Sequence, residues 1–192
     1  MKQKIIALLL TFSALLTFAS SVVHAEDKAT PVKSKYVISS DSSFPPFVFQ
    51  DNNNQYTGID MDLIKAIAKD QGFNITIKNP GFDVALNDVQ TGHADGMIAG
   101  MTVTDARKKT FDFSDSYYSA NSILAVAKSS TISSYEDLKG KTVGVKNGTS
   151  SQTFLTDNQK KYGYKIKTFS DGASLYDSLN SGSVAAIMDD EP

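Results

Sequence analysis

The sequence has no cysteine and no tryptophan. Without cysteine there is no disulfide framework, no thiolate zinc site, no cysteine nucleophile and no cysteine-linked lipid anchor. Histidine is nearly missing as well, with two residues, His24 and His93. That leaves little material for a metal cage, and no cofactor is implied. There is no basic excess: 19 Lys and Arg stand against 21 Asp and Glu. Such a chain has no charge with which to hold nucleic acid or an anionic membrane surface. Catalytic signatures are missing too. No Gly-x-Ser-x-Gly, no His-Glu-x-x-His and no glycine-rich phosphate loop ending in Lys-Ser/Thr occurs. The chain is therefore read as a non-enzyme.

What is present begins with a targeting segment. Lys2 and Lys4 precede a stretch without charge from Ile5 to Val23, and Val23-His24-Ala25 has small residues at the cleavage positions. This predicts a secretory signal peptide over residues 1–25 and export, to the cell surface, the outside or the periplasm. Thr11, Ser13, Thr17, Ser20 and Ser21 dilute the run relative to a membrane span. His24 then falls away with the signal. Residues 26–35 read as a flexible lead-in.

The remainder, 41% apolar overall and 21% charged, alternates strand and helix patterns. Strands are expected at Tyr36–Ser40, Phe47–Phe49, Asn74–Lys78, Gly96–Ala99, Ile123–Lys128, Thr142–Val145, Ile166–Phe169 and Ala185–Met188. Helices are expected from Asp60 (as cap) to Gln71, at Val84–Gln90, from the Lys146–Thr149 loop to about Lys160, and at Ala173–Asn180. In the first, Met61, Ile64, Ile67 and Ala68 fall on one face. Short links between such elements imply mostly parallel sheets covered by helices. One repeat supports two similar units. Leu86-x-x-Val89-x-Thr91-Gly92-x-Ala94-x-x-Met97 is echoed by Tyr176-x-x-Leu179-x-Ser181-Gly182-x-Val184-x-x-Ile187. The reading is two α/β lobes, 36–120 and 121–192, with the aromatic, Asp- and Ser-dotted run 111–118 as a crossover.

Ligands of open α/β sheets sit beyond the carboxyl ends of strands. The loops there are 41–46, 80–82, 99–107 and 146–151, joined by Asp189 and Asp190. Arg107 is the sole arginine, and its planar fork suits a carboxylate. Thr104 is placed to cap the turn that carries it. Thr102, Gly100 and Thr149 offer hydroxyl or backbone groups, and Asp190 a counter-charge for an ammonium. Phe44 and Phe82 stand in Pro/Gly loops where an apolar stem would fit between them. Each residue also has a plain reading as turn, strand end or rim packing.

Ser40-Asp-Ser-Ser-Phe-Pro-Pro-Phe47 and Gly58-Ile-Asp-Met-Asp-Leu63 resemble the opening of bacterial polar amino-acid-binding proteins of ABC importers, solute-binding protein family 3. Gly100-Met-Thr-Val-Thr-Asp-Ala-Arg-Lys-Lys109, Phe113-Ser-Asp-Ser-Tyr-Tyr118, Leu138-Lys-Gly-Lys-Thr-Val-Gly-Val145 and Gly148-Thr-Ser150 follow in the family's order. The likeness is strongest to glutamine binders. It implies a periplasmic-binding-protein-like type II fold, two lobes closing on one amino acid. It implies that Arg107 clamps the α-carboxylate with Thr102 and the Thr149 amide. Asp190 and the Gly100 carbonyl take the α-ammonium, and Phe44 and Phe82 sandwich the stem. Asp41 and Lys146 read a side-chain amide. The implied partners are permease subunits, with fusion to them in a longer protein as one arrangement that the resemblance allows. Relatives run on past the position of Pro192, so the second lobe and crossover are expected to be incomplete. A dehydratase-like enzyme of the same fold and a receptor's sensing domain stay open as alternatives.

Overall fold

The computed structural model describes residues 33–191. The expected signal peptide and most of the lead-in lie outside them. In chain order the elements are β1 (Lys35–Ser39), β2 (Phe49–Gln50), β3 (Tyr56–Thr57), α1 (Ile59–Gln71), β4 (Asn74–Lys78), α2 (Phe82–Gln90) and β5 (Gly96–Met97). They continue with β6 (Asn121–Val126), β7 (Thr142–Lys146), α3 (Ser150–Tyr162), β8 (Lys165–Phe169), α4 (Gly172–Asn180) and β9 (Ala186–Glu191). Among the described residues no helix is long and apolar enough to cross a membrane.

The first lobe holds a parallel sheet in the order β4-β1-β5, plus the small antiparallel β2–β3 pair. The second holds β6-β9-β7-β8. Its β7–β8 and β7–β9 pairs are parallel, as strands joined through helices must be, but β6 runs antiparallel to β9. The expectation of mostly parallel sheets thus misses one edge strand, which enters from residues 111–120 rather than from a helix. That strand runs Asn121–Val126 instead of Ile123–Lys128. β9 continues past Met188 to Glu191, because β6 pairs with it to the end. The expected strand at Phe47–Phe49 shrinks to Phe49–Gln50, since Phe47 and Val48 are buried in the loop.

The two lobes are built alike. Strand, helix, strand, helix, strand runs as β1-α1-β4-α2-β5 and again as β7-α3-β8-α4-β9, with the first strand central each time. Both first helices have 13 residues and end on a left-handed glycine, Gly72 or Gly163. Both second helices have 9 residues and are followed by Gly92 or Gly182 at the same φ of 74°. The Leu86/Tyr176 repeat is the visible trace of this duplication.

Alternation along β9 explains how its sheet is sandwiched. Ala186 and Met188 turn toward Leu155 of α3, Val143 and Val145 of β7 and Leu138. Ile187, between them, turns to Leu175 of α4 and Val184. A strand buried on both faces must be apolar at successive positions, and this one is over its first three residues, Ala186–Met188. Leu155, Leu175 and Ile187 are fully buried, each stabilising the fold by roughly 1.5–3 kcal/mol. The first lobe packs Phe44, Phe47, Val48 and Met61 together. Ile67 departs from the expected inward face of α1 and is 40% exposed. It borders a groove beside β5, shared with Ile64 and Phe113.

Asp60 does not cap α1. Gly58 is the cap residue, at φ 119°. The Ile59 and Asp60 amides donate to the carbonyls of Pro46 and Phe47, each at 3.0 Å. A side chain on Gly58 would put its Cβ 2.3 Å from the Phe47 oxygen, so only glycine lets the loop satisfy these orphan amides. Asp60 is left to reach elsewhere, fully buried.

Candidate functional site

Four strand ends and two helix N-termini meet between the lobes. Phe44, Phe82, Gly100, Thr102, Arg107, Lys146, Thr149 and Asp190 line one cavity, with Ala99, Ser150 and Asp189 completing it. Asp41 is the remaining residue singled out in the sequence. It stands behind Lys146 rather than in the wall.

Arg107 opens a short 3₁₀ turn, Arg107–Lys109, after Thr104. The Thr104 hydroxyl accepts from the Arg107 amide at 3.2 Å, which is the expected cap. The guanidinium then spans the cleft. Its Nη1 donates to the Thr102 carbonyl at 2.8 Å, and its Nη2 to the Gly148 carbonyl of the other lobe at 2.9 Å. Its carbon lies 5.5 Å from the Phe82 ring centre. Burial pulls the Arg107 pKa down, and the charge of Asp190 partly opposes this.

Thr149 is the N-cap of α3. Its hydroxyl accepts from the Gln152 amide at 3.2 Å and donates to the Lys146 carbonyl at 2.8 Å. Its side chain is thus committed to the helix. What α3 offers the cavity is its first turn, with Ser150 on the wall and the positive end of the helix dipole behind it. Across the cleft the Ser150 hydroxyl reaches that of Thr102 at 3.4 Å. Arginine and helix terminus together make one anion-favouring end.

The other end is ionic and buried. Lys146 closes β7, and its Nζ donates to Asp41 Oδ2 at 2.6 Å. The two side chains are 4% and 0% exposed, so solvent screens them little. Asp41 Oδ1 accepts from the Ser42 amide at 2.7 Å. Lys146 Nζ also sits between two rings, 4.7 Å from the centre of Phe44 and 5.6 Å from that of Phe82. Phe82 is the first residue of α2, not a loop residue, and is buried like Phe44. Asp190 faces Ser122 across the β6–β9 ladder and accepts from its hydroxyl at 2.7 Å.

Gly100 has a steric role. At φ 54°, its Cβ would stand 2.6 Å from the Phe44 ring. Its amide donates to Asp60 Oδ2 at 2.7 Å, and Tyr117 donates its hydroxyl to Asp60 Oδ1 at 2.8 Å. Asp60 therefore ties the Gly100 loop to segment 111–120. Burial raises its pKa, and the two donors oppose the shift. Burial also raises the pKa of Tyr117, with the Asp60 charge adding to it.

Sequence reasoning places Asp189 at the cleft without giving it a role, and gives none there to Ser150 or Asp60. Asp189 lines the cavity, and burial lifts its pKa while the Lys146 charge opposes. Its neighbour Tyr176 is pushed up to about 12, chiefly by burial. The doublet Asp189-Asp190 was the available signal for the first. Nothing local marks Asp60, whose partners come from 40 and 57 residues away. His93 proves to be an exposed turn residue, beside Thr91.

In this conformation the cavity has about 20 Å³ open to the centre of a water molecule, room for about one water. An amino acid enters only if the lobes part or Lys146 withdraws.

The chain is 33% identical over 185 residues to the arginine-binding extracellular protein ArtP of Bacillus subtilis, covering 95% of this chain and 72% of that one. It spans 60% of the length of the Escherichia coli ABC transporter arginine-binding protein 1. An ancestral arginine-binding protein bound to arginine superposes with a TM-score of 0.77 at 40% identity, over 82% of this chain and 70% of that one. The same kind of protein bound to glutamine gives 0.77 at 39%, over 83% and 71%. Substrate binding domain 2 of Lactococcus lactis GlnP, in an open conformation, is 53% identical but scores only 0.51, over 86% and 72%. The family model of the bacterial extracellular solute-binding proteins, family 3, matches residues 36–191, and the chain belongs to that family.

Proposed function

We propose that the chain captures a polar L-amino acid outside the cytoplasm, glutamine by preference, and presents it to the membrane permease subunits of an ABC importer. The reading is of binding without turnover. It draws on the names of the relatives, which are amino-acid-binding proteins, both curated ones given above being of arginine. The observation that carries the choice of glutamine is the buried Asp41–Lys146 pair at the aromatic end of the cavity.

The α-carboxylate goes to Arg107, whose two donors now rest on carbonyls, and to the first turn of α3. Asp190 faces the α-ammonium, and the stem passes between Phe44 and Phe82. At the far end a primary amide needs one donor and one acceptor; Lys146 in the wall is the donor, and Asp41, buried behind it, becomes the acceptor once Lys146 shifts aside. Asp41 Oδ1 accepts from the Ser42 and Ser43 amides at 2.7 and 3.4 Å, whereas Oδ2 accepts from Lys146 and keeps a lone pair. A glutamate carboxylate would instead meet Asp41 and Asp189. An arginine or lysine side chain would bring like charge to Lys146, a repulsion that a desolvated site makes costly.

Contacts from both lobes to one ligand favour the closed form, so binding shifts an open–closed equilibrium. A thermal-shift panel of the twenty amino acids tests the reading. Glutamine should give the largest rise in Tm. A larger rise with arginine or histidine contradicts the role given to Lys146, and no rise with any amino acid contradicts binding itself.

A further inference from the structure

We propose that Gly172 sets the depth of closure, and that its missing side chain is what allows the lobes to meet. This rests on the closure reading above and goes beyond it, because Gly172 does not line the cavity.

Gly172 is the first residue of α4, in the second lobe. Ser43 belongs to the first-lobe loop that also carries Asp41 and Phe44. A Cβ on Gly172 would stand 2.8 Å from the Ser43 carbonyl oxygen and 3.7 Å from its hydroxyl oxygen. The first contact is closer than carbon and oxygen approach without a bond. It is made to backbone, which cannot swing aside as a side-chain tip can. Moving the Ser43 carbonyl would drag Asp41 and Phe44, which are held by Lys146 and by the stack on Phe47.

Two more glycines lie along the same seam. Gly81, before α2, faces the Ser170 carbonyl, to which a Cβ would come within 3.7 Å. Gly148 faces α2, where a Cβ would lie 3.3 Å from Leu86 Cδ1 and 3.4 Å from Asp83 Cβ. Both have φ in the left-handed region, 109° and 75°. A side chain there strains the backbone in any state of the protein. Gly172 has no such φ. Its place at the start of α4 suits alanine or serine, and the cap of that helix comes from Asp171, which accepts from the Ser174 amide at 2.8 Å. A Cβ at 172 therefore meets an obstacle only when the lobes close.

Open and closed forms are thus told apart by one atom outside the binding site. Adding it raises the free energy of the closed form alone. Every ligand held by closure then binds more weakly by the same factor, whatever its side chain.

The test compares the wild-type chain with Gly172→Ala and Gly172→Ser, each labelled with an interlobe fluorescence pair. Energy transfer is read first without any amino acid and then with saturating glutamine. The expected result is a shift of both variants toward the longer interlobe distance. Glutamine affinity should fall by about tenfold or more, with helix content by circular dichroism unchanged. Distances and affinity equal to wild type in both variants overturn the proposal. If the wild type binds no amino acid, the proposed function fails, while the distance shift without ligand still decides the role of Gly172. Should alanine disturb α4 itself, helix content falls in Gly172→Ala and Gly172→Ser alike at an unchanged distance, and the residue is then structural.

Discussion

Asp41 and Lys146 lie 105 residues apart in the chain, in different lobes, and meet at 2.6 Å with almost no exposure. The pair exists only when the lobes are together, so it reports their approach. Replacing Lys146 by methionine leaves a carboxylate with its ionic partner gone in a dry place, a loss of about 3–5 kcal/mol where no escape exists. Here an escape exists, because opening the lobes lets water reach Asp41. The expected outcome for Lys146→Met is loss of glutamine affinity by about 100-fold or more, with a small change in Tm. A large fall in Tm with intact affinity would show that the pair holds the fold rather than the closed form.

Arg107 is expected to be irreplaceable by lysine. Its fork reaches Thr102 and Gly148 at once, and a single ammonium cannot reproduce two divergent donors. Arg107→Ala should weaken glutamine binding by about 2–3 kcal/mol, near 100-fold, and Arg107→Lys should recover only a small part. Calorimetric titration of both variants checks this. Near-wild-type affinity in Arg107→Lys would sink the two-donor account.

Asp60 gives the protein a pH dependence of definite sign. Burial raises its folded-state pKa above the ordinary carboxylate value of 3.8. The folded protein therefore holds this proton more tightly than the unfolded chain does. The stabilising contribution is full below about 3.9, the unfolded value, and is lost as pH rises through the raised folded pKa. In Asp60→Asn this dependence is absent. The Tm of wild type relative to Asp60→Asn should fall as pH rises from the acidic range through that window. A difference that stays flat contradicts it.

Gly58 should tolerate no side chain. A Cβ would lie 2.3 Å from the Phe47 oxygen and 2.6 Å from that of Pro46, at φ 119°. Gly58→Ala should cost at least about 2 kcal/mol. The midpoint of urea unfolding should drop with little change in slope.

Much of this was legible in the sequence, for definable reasons. α2, β4, β8 and α4 show in their own periodicity and in Gly72, Gly92 and Gly182, because helix ends and strands are written locally. The duplication of α2 and α4 was readable because both carry the same Gly-hop-strand signature. That of α1 and α3 was not, since α3 buries only Ser151 and Leu155 and reads as a polar stretch. The Arg107 turn was visible through Thr104. The antiparallel β6 was not, as its direction is set by its pairing with β9. Asp60 was misread because the capping carbonyls come from Pro46 and Phe47, a tertiary contact that no window around α1 contains. Bringing the candidate site residues to one cleft depended on the motif order, not on any single spacing.

The most direct test of the account is a calorimetric titration of the chain with L-glutamine and, separately, with L-arginine. Saturable binding of one glutamine per chain, with arginine weaker by about tenfold or more, is the predicted result. Equal or tighter binding of arginine would contradict the reading of the Asp41–Lys146 pair as a receptor for a neutral amide.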